Sequence, residues 1–453
     1  MFIEKIKTDG LAHFSYIVGD SGSAVVIDPQ LDITKYMEIA RANHCQIQTV
    51  IETHRNEDFI SGAYALAAKT GAEALHGPNP QQPIDYARTV LEGEEIFAGN
   101  LKLKILETPG HTDDSISIAL YDLSHEDGAA GVFTGDTLFV GDVGRADFYP
   151  ERAEEMAGML YDSLQKLLAL GDQAILYPAH GAGSVCGAGM ADREFSTIGH
   201  ERRNNDRLKI ETRDKFIKAK LTEHHYKPPY FKTMERRNVF GAAALDPSPN
   251  LPALSYDTLR NKAPKHLIDV RPVSSFLAAH IPGSISLPVA MISSFAGWMM
   301  NESDTIGLIC DAEQEASDAA RHLNRIGYSN IVGFSKNMVG IAAGGAQISS
   351  VPIIDTETVL HRLQSDEVWT LLDVRSLDEF QTAHIRTAQH CYVGEILQDP
   401  QALTFVGPVT VMCGSGARAT VAASRLQQAG ITDIDVYYGS YAAWTASGAN
   451  YEA

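Results

Sequence analysis

Residues 53–59 read Thr-His-Arg-Asn-Glu-Asp-Phe and follow directly on an apolar run, QTVIE, with the composition of a buried β-strand. Three more predicted strands lead into a polar side chain in the same way: ILETPG into His111, VFTG into Asp136 and ILYPA into His180. Side chains at the ends of separate strands of one sheet can converge, because loops on a rigid sheet build sites there. We therefore expect His54 and these three residues to form a metal site.

The motifs around these residues, THRNEDF, PGHTDDS, FTGDTLF and YPAHG, resemble the metallo-β-lactamase superfamily over about residues 1–240, closest to its glyoxalase-II-like branch. The resemblance implies an αββα sandwich. The hydrolases of that superfamily carry T-H-x-H-x-D-H, which builds two zinc sites, but here Asn56 and Phe59 replace the second and third histidines. A phenyl ring cannot bind a metal, and an amide is a far poorer ligand than imidazole. A hydrolytic dinuclear centre is therefore compromised.

The residues that remain are two imidazoles and a carboxylate: His54, His111 and Asp136. This is the composition of the facial triad of non-haem Fe(II) oxygenases, which leaves coordination positions open for a sulfur substrate and O2. The persulfide dioxygenases of the superfamily use only these three positions, and the match VGDVGRADF, with Arg145 and Asp147, favours that branch. The resemblance therefore implies one Fe(II) per chain, with Arg145 near the substrate or behind the ligands.

Asp58 and His180 leave an alternative open, because together with Asp136 they have the residue types of an impoverished second metal site. Resemblance to the dioxygenases implies instead that both residues support the first site from behind or are structural. Cys186, in PAHGAGSVCG after His180, is either a small packed residue or a thiol that faces the metal cleft. Similar fused proteins carry a cysteine in this loop, which implies a role for Cys186 in handling the persulfide.

The C-terminal half of the chain repeats itself. HLIDVRPVSSFLAAHIPGSISLPV recurs 104 residues later as TLLDVRSLDEFQTAHIRTAQHCYV, and the segment around Cys310 matches that around Cys413 at an offset of 103. A repeat of this length is a whole domain rather than a solenoid unit. Each copy alternates β-branched strands with amphipathic helices, which predicts a parallel α/β sheet. The D-V-R motif of each copy is expected to form a structural ion pair.

Cys413 follows an apolar strand and precedes an amphipathic helix in VMCGSGARAT. The small residues Gly414, Ser415 and Gly416 allow consecutive N–H groups to turn inward and form an anion nest at the start of the helix. Such a nest, with Arg418 nearby, stabilises a thiolate or a persulfide. We therefore expect Cys413 and Arg418 to be catalytic and the loop between them to bind the transferred sulfur.

This frame resembles a rhodanese sulfurtransferase domain over about residues 355–450. Four residues separate Cys413 from Arg418, whereas the Cys-dependent phosphatases have five, and the smaller loop suits sulfane sulfur. The first copy lacks both glycines and has Glu315 in the place of Arg418. Carboxylates at the loop disfavour a thiolate and repel an anionic donor, so we expect the copy with Cys310 to be catalytically silent.

These features predict an α/β and α+β multidomain protein. Its parts are a dioxygenase domain with a helical extension over 1–240, a linker over 241–253, a degenerate rhodanese-like domain over 254–350 and an active one over 351–453. The whole resembles the CstB-type persulfide dioxygenase–sulfurtransferases, which implies oxidation of a low-molecular-weight persulfide to sulfite and rhodanese sulfur transfer that yields thiosulfate. The implied partners are O2, sulfite and a persulfide of glutathione, coenzyme A or bacillithiol, in sulfide detoxification. The alternatives are a glyoxalase-II-like zinc thioester hydrolase with rhodanese accessory domains and a non-enzymatic sulfur sensor.

The charge and cysteine content argue against several other classes. With 37 Lys and Arg against 57 Asp and Glu, a net charge of −20, the chain lacks the clustered cations that nucleic acids or an anionic membrane need. The longest uncharged stretch, 272–301, is broken by Pro282, Gly283 and Pro288 and does not predict a membrane helix. Five sparse cysteines and a charged start, MFIEKIKTDG, predict reduced thiols in the cytoplasm. We also expect a homo-oligomer.

Overall fold

The structure, a computed structural model, describes residues 1–125, 128–184, 187, 189–244 and 250–449. The chain separates into two compact units, one formed mainly by residues 1–227 and the other mainly by the residues from 250 onward. Apart from Arg325–Gly327, both copies of the predicted repeat fall in the second unit. The boundaries predicted between the parts of the chain stay predictions.

The first unit is built on two sheets. In spatial order, the first sheet contains β1 (Phe2–Thr8), β2 (His13–Asp20), β3 (Ser23–Ile27), β4 (Gln46–Glu52), β5 (Glu73–His76) and β6 (Arg88–Thr89). The second contains β7 (Glu95–Ala98), β8 (Leu101–Glu107), β9 (Ile116–Asp122), β10 (Gly131–Gly135), β11 (Ile175–Pro178) and β12 (Ser196–Thr197). The helices are α1 (Thr34–Ala42), α2 (Ala63–Thr70), α3 (Ala153–Leu168), α4 (Ile198–Asn204), α5 (Arg213–Leu221) and α6 (Phe231–Phe240).

Alternate residues of the inner strands divide between two layers of core, as the period of a β-strand requires. Tyr16 and Val18 pack between the sheets with residues such as Ile105 and Ile118 of the second sheet. Ile17, between them in sequence, packs on the opposite face with helix residues such as Tyr36. Residues of α3 and α5 cover the outer face of the second sheet in the same way. The predicted αββα sandwich is therefore confirmed.

The second unit contains two parallel sheets. The first has β13 (His266–Asp269), β14 (Ile285–Ser286), β15 (Ile306–Cys310) and β16 (Ile331–Lys336), in the order β14-β13-β15-β16. The second has β17 (Ile353–Ile354), β18 (Thr370–Asp373), β19 (Gln389–His390), β20 (Val409–Met412) and β21 (Ile434–Tyr437), in the order β17-β21-β20-β18-β19. The helices are α7 (Tyr256–Asn261), α8 (Val273–Ala278), α9 (Ile292–Phe295), α10 (Glu313–Arg325), α11 (Met338–Ala343), α12 (Thr356–Gln364), α13 (Leu377–Thr382), α14 (Val393–Gln398), α15 (Ala417–Gln428) and α16 (Ser440–Ala446).

The two copies share their internal contacts as well as their sequence. In each, a buried arginine donates hydrogen bonds to the aspartate two residues before it, and a histidine stacks on the phenylalanine four residues before it. The ion pairs are Arg271–Asp269 (2.6 Å) and Arg375–Asp373 (2.7 Å). The stacks, both with ring centroids 4.0 Å apart, are Phe276–His280 and Phe380–His384. The tandem repeat, its parallel sheets and its structural ion pairs are therefore confirmed.

The uncharged stretch 272–301 forms several short elements. It contains α8, β14, α9 and the 3₁₀ turns Val289–Met291 and Ala296–Trp298. Across the described ranges, the helices all lack the length and apolar character needed to cross a membrane.

Candidate functional site

The predicted metal-site residues come from both sheets of the first unit. His54 follows β4 of the first sheet, whereas His111, Asp136 and His180 follow β8, β10 and β11 of the second. The expectation that one sheet supplies all four is therefore wrong. In a two-layer sandwich the strand ends of both layers meet at one end of the core, so residues from different sheets converge there.

Four buried side chains meet at this end of the sandwich: His54, Glu57, His111 and Asp136. One ligand atom from each lies within 4.8 Å of all the others, and His111 Nε2 is 3.5 Å from Asp136 Oδ2. Within the described part of the chain, His54 Nε2 and Asp136 Oδ2 are buried without a hydrogen-bond partner. Buried polar atoms need a partner. The nitrogen and oxygen donors of this set suit a divalent iron or zinc ion.

Hydrogen bonds from the first sheet hold His54 with its Nε2 toward this cluster. Asp28, directly after β3, accepts the N–H and the hydroxyl of Thr53 at 2.7 and 2.8 Å. Because the hydroxyl proton is used there, the Thr53 oxygen accepts from His54 Nδ1, 3.0 Å away. Gly135 makes room for this arrangement, since a Cβ at that position would lie 2.6 Å from the Thr53 hydroxyl. The Nε2 lone pair is thereby left for a metal.

The backbone of Arg145 orients His111. The Arg145 carbonyl oxygen is 3.0 Å from His111 Nδ1, which leaves Nε2 facing the cluster. The buried Arg145 side chain pairs with Asp147 at 2.7 and 2.8 Å and lies over the Phe148 ring, 4.8 Å from its centroid. The edge of His111 meets the same ring. The structure thus places Arg145 behind the candidate ligand His111, where its guanidinium pairs with Asp147 and its carbonyl oxygen orients the imidazole.

Glu57 belongs to the cluster although the sequence reasoning missed it. Its Oε1 lies 3.1 Å from His111 Nε2, and its Oε2 lies 3.8 Å from His54 Nε2. Burial alone would raise the pKa of Glu57, but in the absence of a metal ion the charges of the neighbouring His111 and His54 outweigh burial and lower it. Its position three residues after His54, within the motif of residues 53–59, was the signal that could have indicated it.

His180 and Asp58 make their contacts behind Asp136. His180 Nδ1 lies 2.7 Å from Asp136 Oδ1, and its Nε2 lies 3.1 Å from Asp58 Oδ2. Burial alone would lower the pKa of His180, but these two carboxylates outweigh burial and raise it well above its ordinary value. Phe59 fills the neighbouring space and packs on His13 with centroids 4.2 Å apart. This arrangement gives no support to the alternative of a second metal site.

Cys186, to which the sequence gives a role in handling the persulfide, lies outside the described residues. Its contribution therefore stays a prediction.

The second site surrounds Cys413, which follows β20 and is buried. Its sulfur accepts the N–H of Gly416 at 3.1 Å, and its own N–H donates to the Ser440 hydroxyl at 3.1 Å. Gly416 has φ +103°, and a Cβ there would lie 2.4 Å from the Tyr438 carbonyl oxygen, so the loop requires glycine. Ser415, in the same loop, is exposed. An inward-turned amide on the sulfur is what an anion nest provides.

Arg418 forms a bidentate ion pair with Glu379 of α13, with N–O distances of 2.6 and 2.7 Å. Its guanidinium lies against the cysteine loop, because a Cβ at Gly414 would be 3.2 Å from Arg418 Nη2. The sequence reasoning missed Glu379. The available signal lies in the first copy, which has Ser275 in the place of Glu379 and Glu315 in the place of Arg418, so that both halves of the pair are absent together.

Glu379→Gln is expected to flatten the acid dependence of stability. Burial alone would raise the pKa of Glu379, but the ion pair with Arg418 lowers it from 4.5 to about 2. A carboxylate with a lowered pKa stabilises the folded state above its ordinary pKa, and this stabilisation is lost as the pH falls toward the folded value. The urea midpoint of the wild type should therefore fall more between about pH 5 and about pH 3 than that of the variant.

Glu367→Gln, at an exposed position of the same domain, is the control and should retain the wild-type acid dependence. If the urea midpoints of the wild type and Glu379→Gln change with pH in the same way, the ion pair does not contribute to the acid dependence of stability.

In the first copy, a carboxylate occupies the cysteine loop. Glu315 Oε2 accepts the N–H groups of Asp311 and Ala312 at 2.8 and 3.2 Å, and these amides correspond to those of the anion nest in the second copy. Cys310 is fully buried, and burial together with Glu315 and Asp311 raises its pKa to about 12. The Glu315 carboxylate thus fills the loop, and the raised pKa disfavours a Cys310 thiolate. Both features agree with the expectation that this copy is catalytically silent.

Brief treatment with iodoacetamide near pH 8 is expected to label Cys413 and to spare Cys310. A thiol with a pKa of about 12 is a thiolate in about one molecule in 10⁴ at that pH, and the thiolate is the reacting species. Peptide mapping by mass spectrometry measures both sites in one sample. Glu315→Gln should speed the labelling of Cys310, and equal labelling of both cysteines in the wild type would contradict the assignment.

Comparison with family models agrees with this architecture. Residues 8–180 match the metallo-beta-lactamase superfamily, and residues 253–344 and 356–447 each match the rhodanese-like domain. The class defined by fold and sequence is therefore a metallo-β-lactamase fold followed by two rhodanese-like domains.

The N-terminal part is also similar to curated hydroxyacylglutathione hydrolases. The protein of Polaromonas sp. is 31% identical over 185 residues, which is 40% of this chain and 66% of that protein. The protein of Rhodospirillum rubrum is 33% identical over 163 residues, 35% of this chain and 58% of that protein. The chain thus spans about three fifths of the length of the curated relatives it matches.

Two solved structures are similar to longer parts of the chain. A metallo-beta-lactamase from Staphylococcus aureus subsp. aureus COL is 29% identical with a TM-score of 0.68, over 74% of this chain and 99% of that chain. ETHE1 from Myxococcus xanthus is 29% identical with a TM-score of 0.46, over 53% of this chain and 98% of that chain. The likeness to the Staphylococcus protein extends beyond the residues that match the metallo-beta-lactamase family model.

Proposed function

We propose that the protein is a mononuclear non-haem iron persulfide dioxygenase of the CstB type, coupled to a rhodanese sulfurtransferase in the same chain. One observation carries the proposal: the N-terminal cluster offers ligands for a single metal. Asn56 and Phe59 stand where the hydrolases have histidines, and His180 has both ring nitrogens against carboxylates. Among the described residues, only the cluster around His54 and His111 has the donors to hold an ion.

The proposed ligands are His54, His111 and Asp136, with one Fe(II) per chain. When bound, Fe(II) supplies the redox chemistry that joins O2 to a neighbouring sulfur. The reaction balances as RSSH + O2 + H2O → RSH + SO3²⁻ + 2 H⁺. The protein's own part is to orient both imidazoles, through Thr53 and the Arg145 carbonyl, and to keep the ligands away from bulk water.

Cys413 carries the sulfur transfer. Its thiolate attacks the outer sulfur of a second persulfide, the S–S bond to the carrier breaks, and the carrier thiolate takes up the proton as RSH. The Cys413 persulfide anion that results is stabilised by the Gly416 N–H and by the nearby Arg418. Sulfite then attacks the outer sulfur, which releases thiosulfate and restores the Cys413 thiolate. The sulfur reaches sulfite directly or through Cys186.

The proposed substrates are O2, sulfite and a low-molecular-weight persulfide of the glutathione, coenzyme A or bacillithiol type. The process served is sulfide and persulfide detoxification in the cytoplasm, by a homo-oligomer.

A second candidate is a glyoxalase-II-like zinc thioester hydrolase with rhodanese accessory domains. The similarity to the hydroxyacylglutathione hydrolases favours it, and zinc is compatible with the nitrogen and oxygen donors of the cluster.

Metal analysis of protein reconstituted in parallel with Fe(II) and with Zn²⁺ tests the choice. We expect one metal per chain, O2 uptake with a persulfide only in the iron form, and no hydrolysis of a hydroxyacylglutathione thioester. Two zinc ions per chain with thioester cleavage in the absence of O2 would reject the dioxygenase.

A further inference from the structure

The Glu57 carboxylate is placed as a ligand rather than as a neighbour of ligands. Each of its oxygens faces a different imidazole: Oε1 is 3.1 Å from His111 Nε2, and Oε2 is 3.8 Å from His54 Nε2. These are the two nitrogens that the surrounding hydrogen bonds leave for a metal. Glu57 also joins Asp136 in the group whose ligand atoms all lie within 4.8 Å of one another. We propose that Glu57 is a fourth protein ligand of the metal.

The sequence offers a reason why this chain uses a glutamate here. The motif has lost two imidazoles, at Asn56 and Phe59, and Glu57 lies between these positions on the same loop. Asn238 secures this loop, since its side-chain amide donates to the carbonyl oxygens of Asn56 and Phe59 at 2.7 and 2.8 Å. A loop held at both sides of Glu57 keeps the carboxylate directed at the imidazoles.

The assignment changes what the proposed reaction can accommodate. Three protein ligands leave three positions on a six-coordinate ion, whereas four leave two. On the proposed function, which this inference deepens, a metal held by His54, His111, Asp136 and Glu57 would keep two positions for its substrates. Such a site would favour a persulfide that binds through a single sulfur atom.

Glu57→Gln tests the assignment, with Glu52→Gln as the matched control. Glu52 is a buried glutamate at the end of β4 that accepts the Tyr86 hydroxyl at 2.7 Å and lies outside the metal cluster. Affinity for Fe(II) is measured anaerobically by competition with a chromophoric chelator. We expect a loss of at least about tenfold for Glu57→Gln, by the usual scale of changes at metal sites, and a change below about twofold for Glu52→Gln.

A crystal structure of the metal-loaded wild type shows whether Glu57 binds the ion directly or only attracts it by its charge. It remains informative if the variant fails to fold. We expect a Glu57 oxygen within about 2.2 Å of the ion. A Glu57 carboxylate more than about 3 Å from the ion, or unchanged affinity in Glu57→Gln, would overturn the proposal. Neither measurement needs dioxygenase activity, so a zinc hydrolase with Glu57 bound would reject the proposed function and leave this inference standing.

Discussion

Cys413→Ser is expected to abolish thiosulfate formation while sulfite still accumulates from persulfide and O2. The hydroxyl keeps the size of the side chain but cannot form a persulfide, so sulfur transfer should fall roughly 10³-fold or more, as after the loss of an enzymatic nucleophile. The candidate metal-binding residues belong to the other compact unit and should be unaffected by the substitution. Ion chromatography of sulfite and thiosulfate from one reaction mixture measures both products.

Cys310→Ser is the matched control, because Cys310 stands at the same place in the first copy but is buried beside Glu315. It should leave both products at wild-type levels. Loss of sulfite together with thiosulfate in Cys413→Ser would contradict the division of labour between the two sites. If Cys413→Ser still forms thiosulfate, Cys413 is not the residue that carries the sulfur.

His111→Ala is expected to abolish O2 uptake, by roughly 100-fold or more, and to remove iron from the purified protein. The substitution deletes the nitrogen that faces both Glu57 and Asp136, at 3.1 and 3.5 Å. Two buried carboxylates are then left with one imidazole, His54, to complete a site. The rhodanese reaction should continue at its wild-type rate, since Cys413 lies in the other unit. Iron content and an oxygen electrode give the two readouts.

His76→Gln is the control for the loss of a buried histidine. His76 lies in the same unit, with its Nδ1 2.9 Å from the Gly77 carbonyl oxygen, and it is outside the cluster. This variant should retain iron and O2 uptake. An iron content in His111→Ala equal to that of the wild type would show that the metal binds elsewhere.

The fold and the candidate ligands at strand ends were predictable because short, local sequence patterns determine them. His54, His111 and Asp136 each follow an apolar run within a few residues, and the structure brings all three together. Glu57 was not predictable from strand ends, because it depends on how the loop after His54 turns back toward the second sheet. Asp28 acts on His54 through Thr53, and that contact joins different strands.

The same distinction holds in the rhodanese-like domains. Cys413 and its loop are contiguous in sequence, so the nest was predictable from glycine spacing. Glu379 lies on α13, far from Arg418 in the chain, and only the packing of α13 against the start of α15 makes them partners. The two copies also share a backbone feature, since Ser440 and its counterpart Asn337 both have a positive φ, +50° and +69°.

The dioxygenase reaction is measured most directly by the stoichiometry of O2 consumption in the iron-loaded Cys413→Ser protein, in which sulfite is not consumed further. An oxygen electrode and sulfite analysis are applied across persulfides of glutathione, coenzyme A and bacillithiol. We expect one O2 to disappear for each sulfite formed with at least one of these persulfides, and the zinc-loaded protein to consume none. Sulfite or thiol release without O2 consumption, or equal activity of the zinc form, would contradict a dioxygenase at the His54–His111–Asp136 site.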